Sequence, residues 1–183
     1  YNSGELQSRF SAKSVHAEER LDALGKLQGF ETQQITSTVR GALDDQADDI
    51  RLVAFGILDK KEKMINVKIN QELELSQQAE DESEKMTHLR ELAYAYWELV
   101  YKEIVEGDIL GHSLERAMYY NSVVLSVIPH DAGMWALKGQ ISLRLHENEQ
   151  AQEAFTKALE YGIPESRVIP YLAELTFHRK KFV

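Results

Sequence analysis

The chain contains no cysteine, and only three prolines and ten glycines occur among its 183 residues. The absence of cysteine excludes a disulfide framework, a thiolate-ligated zinc site and catalysis by a thiol, and it suits a protein of the cytosol. Proline and glycine interrupt helices, so their scarcity leaves long stretches free to be helical. Most of these stretches repeat their apolar residues with a helical period, and the sequence therefore predicts an all-α fold.

Positive charge is also scarce, because 21 Lys and Arg stand against 30 Asp and Glu, giving a net charge of −9. A nucleic-acid-binding surface normally needs a basic stripe, and none is visible in this sequence. Long apolar runs are missing too: residues 123–128 form one of the longest, far short of the roughly 20 residues of a spanning helix. The chain does not begin with methionine, so we expect a fragment, and a membrane anchor ahead of it stays an open question.

Motifs that carry chemistry are absent as well. The six histidines share no metal-ligand spacing, and neither a His-Glu-x-x-His helix nor a Gly-x-Ser-x-Gly elbow occurs. Carboxylate pairs such as Glu147 and Glu149 are typical of solvent-exposed helical surface. The sequence therefore predicts a protein that is not an enzyme, with no cofactor and no metal.

The most specific pattern lies between residues 132 and 164, where Pro164 closes a helix–turn–helix repeat. Small residues are expected where the two antiparallel helices cross closely, with aromatic rings beside the crossing. The pattern resembles the tetratricopeptide family, although Lys138 and Ser142 stand where that family usually has leucine and tyrosine. The alternative is an ordinary helical hairpin. The residues that match positions 4, 8, 20, 24 and 27 of the 34-residue repeat are Trp135, Gly139, Ala151, Phe155 and Ala158.

Two similar units flank this repeat. Tyr94 and Trp97 begin the first one, in which Glu98 replaces a small residue and residues 107–113 predict a lengthened internal loop. The other begins near Ser166, with Pro170 in the first turn of its helix, and the chain ends before a second helix. The resemblance implies about two and a half tetratricopeptide repeats, over residues 87–130, 131–165 and 166–183.

The N-terminal part follows a different pattern. Residues 1–13 are polar and aperiodic and predict a loose arm, whereas residues 14–86 predict helical hairpins. We expect helices from Ser14 to a stop at Gly29 and from about Thr32 to Leu43. The apolar residues expected to face the core of the first two helices include Val15, Leu21, Leu24, Leu27, Ile35 and Val39.

An acidic stretch at residues 44–49 is expected to cap the next helix, whose buried stripe begins at Ile50. Its Asp-Asp-Ile-Arg run resembles a HEAT repeat, in which acidic and arginine side chains pair between repeats. The alternative is a capped amphipathic helix with a surface arginine, Arg51. Asp59 is expected to cap a further helix, and residues 76–85 to form a solvated helix extension or a hairpin turn. The architecture that these patterns favour is an α-solenoid, HEAT-like at first and tetratricopeptide-like afterwards.

Three strings together resemble the PelE family, membrane subunits of the bacterial Pel exopolysaccharide apparatus. They are DDIRLVAFGILD at residues 48–59, YWELVY at residues 96–101 and WALKG from Trp135, and the likeness covers most of residues 15–183. The resemblance implies two membrane helices ahead of this chain and a position at the cytoplasmic face of the inner membrane. It also implies a scaffolding role in exopolysaccharide and biofilm formation toward PelD, the cyclic-di-GMP receptor of that apparatus.

Stacked repeats line a concave groove with their first helices, and the terminal helix lacks a second helix to cover its apolar side. We expect a protein partner, or a second copy of the chain, to bind there. One alternative is that the terminal helix folds back onto Ala154, Ala158 and Leu159. Another is that the groove belongs to a regulatory sensor for a peptide or small ligand. The predicted partner-binding residues are Leu99, Lys102, Gln140, Leu143, Arg144, Arg167, Glu174, Phe177 and Phe182.

Overall fold

The computed structural model describes residues 2–12, 16–28, 30 and 33–180, without the side chains of residues 177–180. Within these residues every regular element is a helix and no strand occurs, which confirms the all-α fold. Two 3-10 turns, Ala42–Asp44 and Glu165–Arg167, accompany the α-helices. In chain order the α-helices are α1 (Ser3–Ser11), α2 (Ala17–Leu27), α3 (Gln33–Gly41), α4 (Asp48–Gln78), α5 (Glu82–Tyr101), α6 (Gly107–Val127), α7 (Ala132–Arg144), α8 (Asn148–Glu160) and α9 (Ile169–Lys180).

The chain divides into two compact units, which we call unit 1 and unit 2. Unit 1 comprises residues 1–68 and 98–111, and unit 2 comprises residues 69–97 and 112–183. This division differs from the predicted boundary at residue 86, because α4, α5 and α6 are long and each contributes residues to both units.

The prediction of a loose arm at residues 1–13 is wrong, since α1 occupies most of it. Asn2 caps this helix by accepting a hydrogen bond from the backbone N–H of Gly4, and Leu6 and Phe10 are buried in the core of unit 1. Arg20 of α2 donates to the carbonyl oxygen of Phe10 at 3.1 Å. The apolar side of α1 consists of two residues spaced i, i+4, which is too short a pattern to reveal a period in the sequence.

Helices α2 and α3 lie where the sequence places them. The predicted bounds at Ser14, Gly29 and Thr32, and Val15 of the predicted stripe, lie outside the described residues. The predicted core residues Leu24, Leu27, Ile35 and Val39 are all buried, and Leu21 is half-buried against them.

Helix α4 is continuous over 31 residues, so the predicted break at Asp59 is wrong. No proline lies within it, and Asp59 is accommodated inside the helix because Lys63, one turn on, donates to its carboxylate at 2.7 Å. The buried side of α4 in unit 1 includes Ile50, Ala54 and Ile57, as the stripe predicts. Arg51 bonds to Asp48 and to the carbonyl oxygen of Asp45, which is the local pattern of a capped helix.

Residues 76–85 form the end of α4, a short turn and the start of α5, as expected of a hairpin. The predicted loop at residues 107–113 is wrong, because α6 begins at Gly107 and continues through these residues. Asp108 lies in its first turn, where a carboxylate is favourable, and a single internal glycine does not end a helix. The connection between α5 and α6 is therefore residues 102–106, where Arg40 donates to the carbonyl oxygen of Glu103 at 2.7 Å.

In unit 2, α7 and α8 form the helical hairpin that the repeat pattern predicts. Asp131 caps α7 by accepting a hydrogen bond from the backbone N–H of Met134 at 2.9 Å. Helix α9 then packs on α8, where the ring of Tyr171 stacks on that of Phe155 with 5.3 Å between centroids. None of the helices in the described part of the chain is both long and apolar enough to cross a bilayer.

Candidate protein-interaction surfaces

The predicted partner-binding residues are divided between the two units. Leu99 belongs to unit 1 and is only 2% exposed, so its side chain is closed to a partner. Lys102, also in unit 1, is half-buried and forms an ion pair with Glu98. It borders a cleft with Lys61, Met64 and other residues of α4.

Two predicted groove residues of unit 2 join α7 to α9 within the chain. Gln140 donates to the hydroxyl of Tyr171 at 2.9 Å, and Leu143 packs into the apolar cluster of α7, α8 and α9. Leu175 is buried in the same cluster, so the terminal helix folds its apolar side back onto α8. Ile169, at the start of α9, is nevertheless 53% exposed, so the described part of this helix keeps some apolar surface open.

The remaining predicted residues of unit 2 are polar and exposed. They are Arg144 at the end of α7, Arg167 in the 3-10 turn before α9, and Glu174 within α9. The side chain of Phe177 and all of Phe182 lie outside the described residues.

Further exposed apolar residues lie on α4, and the sequence reasoning missed them. Two pairs of residues, each pair separated by one helical turn, stand in solvent along this helix. Leu52 and Phe55 are 70% and 61% exposed, and Met64 and Val67 are 58% and 55% exposed. Single exposed apolar residues are ordinary, whereas each of these pairs places two large apolar side chains next to each other in solvent. We call these four residues the α4 exposed surface.

Polar residues of the same helix surround the α4 exposed surface. Lys60 is exposed and forms no ion pair within the described residues, and Lys63 pairs with Asp59. Gly56 lies between the two apolar pairs, and a Cβ placed on it would meet nothing within 4 Å. A glycine within a helix costs up to about 1 kcal/mol relative to alanine, and no neighbour among the described residues requires one here. The α4 exposed surface thus combines apolar side chains with neighbouring lysines.

A second cluster, in unit 2, consists of an arginine among three tyrosines and is called the Arg116 cluster. The guanidinium of Arg116 lies over the rings of Tyr119 and Tyr120, 5.2 and 4.7 Å from their centroids. It donates to the hydroxyl of Tyr120, and the ring of Tyr96 stacks on that of Tyr120. These contacts join α5 to α6.

The Arg116 cluster also alters proton affinities. Burial lowers the pKa of Arg116, but the charge interaction with Tyr120 and the bond to Tyr96 outweigh it, and the pKa ends above its ordinary value. Burial raises the pKa of Tyr120, and the nearby arginine opposes that rise only in part. At neutral pH the guanidinium is therefore charged and the tyrosine hydroxyl keeps its proton.

Ionisable groups elsewhere form no site of recognisable chemistry among the described residues. His88 contacts Glu72 at 2.7 Å, but no three histidine or carboxylate side chains there meet as metal ligands would. Comparison of the chain with protein-family models, with curated proteins and with solved structures finds no match. The class that the coordinates define is an all-α protein with an exposed apolar surface on one long helix.

Proposed function

We propose that this chain is a non-enzymatic scaffold that binds another protein through the α4 exposed surface. The observation that carries the proposal is the exposure of four large apolar side chains on one helix, Leu52, Phe55, Met64 and Val67. Burying each such side chain against a partner contributes on the order of 1.5–3 kcal/mol, so this surface is favourable to cover. Helix surfaces of this kind commonly receive a helix or a flat apolar patch of another protein.

The repeat architecture supports the same function. We propose that unit 2 contains tetratricopeptide repeats, supported by the close crossing of α7 and α8 and by the packing of α9 on α8. Repeats of this family present extended surfaces to protein partners. The local bonding of Arg51 favours a capped helix over a HEAT-type ladder at the start of α4, so the HEAT likeness of residues 14–86 adds nothing to the proposal.

The resemblance of residues 48–59 and 96–101 to the PelE family supplies the proposed setting. In this proposal the scaffold belongs to a membrane-associated complex that synthesises and secretes exopolysaccharide, on the cytoplasmic face of the bacterial inner membrane. Its protein partner is a PelD-like cyclic-di-GMP receptor subunit, and membrane attachment lies in segments outside this chain. Leu52 and Phe55 fall within the first of these strings and belong to the α4 exposed surface.

The test measures binding of the purified PelD-like subunit by calorimetry. Two double variants, Leu52→Ser with Phe55→Ser and Met64→Ser with Val67→Ser, remove one apolar pair each without disturbing the buried side of α4. We expect a loss of at least tenfold in affinity for the pair that contacts the partner, equivalent to about 1.4 kcal/mol. Circular dichroism and thermal melting verify that each variant is folded.

Ile169→Ser is the matched control, because Ile169 is 53% exposed and lies on α9 instead of α4. It should bind like the unaltered chain. Full affinity in both double variants would show that the partner binds another surface. Absence of binding by the unaltered chain would refute this partner, and stabilisation by peptides or metabolites in its place would favour the sensor alternative.

A further inference from the structure

The described part of the chain contains five half-buried arginines, and one of them differs from the others. Arg20 pairs with Asp45, Arg40 with Glu106, Arg51 with Asp48 and Arg90 with Asp131. Arg116 pairs with no carboxylate of the described residues, and the hydroxyl of Tyr120 occupies the place of one. The chain has nine more acidic than basic side chains. Even so, no carboxylate of the described residues neutralises the positive charge of Arg116.

The tyrosines fix the orientation of this guanidinium. Two rings, those of Tyr119 and Tyr120, lie against it, and the hydroxyl of Tyr120, on whose ring Tyr96 stacks, accepts a hydrogen bond from it. An arginine held in this way loses little conformational entropy when it binds a ligand, because its plane is already set. A guanidinium has five N–H groups, and one tyrosine hydroxyl cannot occupy them all, so donors remain for a ligand.

The tyrosine hydroxyl contributes a donor as well. A hydroxyl that accepts a hydrogen bond from arginine retains its own proton, which it can donate to a second acceptor. The pKa of Tyr120 is raised, so that proton is present throughout the neutral range. Arg116 and Tyr120 together therefore offer N–H and O–H donors and one positive charge, which is the complement of an oxyanion.

We propose that Arg116, with the hydroxyl of Tyr120, forms a binding site for an oxyanion, either a carboxylate or a phosphate group. Tyr119 borders this site and is 55% exposed, so the approach to Arg116 is partly open to solvent. The site lies in unit 2 and includes no residue of the α4 exposed surface. The oxyanion proposal can therefore be tested independently of the scaffold proposal.

The experiment titrates the unaltered chain with sodium acetate and, separately, with sodium phosphate, while chloride keeps the ionic strength constant. Nuclear magnetic resonance of the arginine Nε–H groups reports binding directly. We expect the Arg116 signal to move saturably, with a dissociation constant on the order of millimolar for such small ions. The signal of Arg144, an exposed arginine of α7 that pairs with no carboxylate in the described part of the chain, is the internal control and should follow ionic strength only.

Variants then assign the effect to the guanidinium fork. Arg116→Lys keeps the charge and loses both the planar fork and the ring stacking, so it should weaken binding at least fivefold, whereas Arg144→Lys should leave it unchanged. Saturation with acetate alone identifies a carboxylate site, saturation with phosphate alone a phosphate site, and saturation with both a general oxyanion site. If the Arg116 signal does not saturate with either ion, or moves in parallel with that of Arg144, the proposal is overturned.

Discussion

The ring of Phe155 occupies the space that any side chain at Gly139 would need. A Cβ placed on Gly139 would lie 2.5 Å from Cε1 of that ring, well inside van der Waals contact. Phe155 is fully buried and Tyr171 stacks on it, so the ring cannot move aside without disturbing α9. The glycine is therefore required by the distance between α7 and α8.

Gly139→Ala should destabilise unit 2, because the new methyl group forces the Phe155 ring or the helices apart. Overpacking of this kind typically costs about 1–3 kcal/mol. The control is Gly111→Ala in α6, where a Cβ would meet nothing within 4 Å and alanine should stabilise the helix by about 0.5–1 kcal/mol. Urea unfolding measures both variants, and shifts of the same sign would contradict this account.

Phe155→Ala and Trp135→Ala should differ in cost, although the repeat pattern treats the two residues alike. Phe155 is fully buried, so its truncation should cost roughly 3–5 kcal/mol. Trp135 is half-buried between Lys138 and Lys157, and it bonds through Nε1 to the carbonyl oxygen of Pro129. Its truncation should cost less, and equal losses in unfolding free energy would show that its ring contributes more than its burial indicates.

The hairpin of α7 and α8 could be predicted from the sequence, because a close helix crossing restricts which residues are tolerated. Gly139, Ala151 and Phe155 carry that restriction, and each is buried as expected. The start of α6 could not be predicted in this way. A glycine at the head of a helix and a glycine in a loop look alike in the sequence, and only the packing of the following residues distinguishes them.

The interaction surfaces could not be predicted from local sequence patterns, because they depend on how the helices pack. Leu52 and Phe55 lie outside the buried stripe of α4. Their position relative to that stripe is the sequence signal that could have identified them as exposed. The Arg116 cluster joins α5 to α6, so the meeting of Tyr96 with Arg116 depends on how the two helices pack. Leu99 was assigned to a groove by its repeat position, but packing buried it, because tertiary contacts override position in a pattern.

Asp131 should contribute to stability in two separable ways. It caps α7 through the backbone N–H of Met134, and it pairs with Arg90 of α5. Asp131→Asn keeps an oxygen for the cap and loses the charge, whereas Asp131→Ala loses both. We expect the alanine variant to be less stable than the asparagine variant by about 1 kcal/mol, the usual contribution of a cap. Equal unfolding free energies in urea would show that the cap contributes nothing.

Ser142 should be dispensable, although it is completely buried. Its hydroxyl has no hydrogen-bond partner within the described residues, so folding removes it from water without compensation. Ser142→Ala removes that desolvation penalty and creates little space, and we expect a gain of about 1 kcal/mol in unfolding free energy. Thermal and urea unfolding measure it, and a loss of similar size would reveal a bond that the structure does not contain.

Asp45 should make the stability of unit 1 sensitive to acid. The backbone N–H of Ala47 donates to its carboxylate at 3.0 Å and is the largest influence lowering its pKa below 3.8. Burial opposes that effect, and the bond and charge of Arg20 reinforce it. A carboxyl group whose pKa is lower in the folded state adds stability above its unfolded pKa and loses it as the pH falls through the folded value.

We therefore expect Asp45→Asn to be less stable than the unaltered chain at neutral pH, and the difference to shrink as the pH is lowered below about 3.8. Urea unfolding at a series of pH values measures the difference directly. Arg20→Met provides the matched control: with its partner removed, the pKa of Asp45 is lowered less, and the acid-dependent part of the stability should become smaller. A difference between the Asp45→Asn variant and the unaltered chain that stays constant across the series would mean that Asp45 titrates alike in the folded and unfolded states.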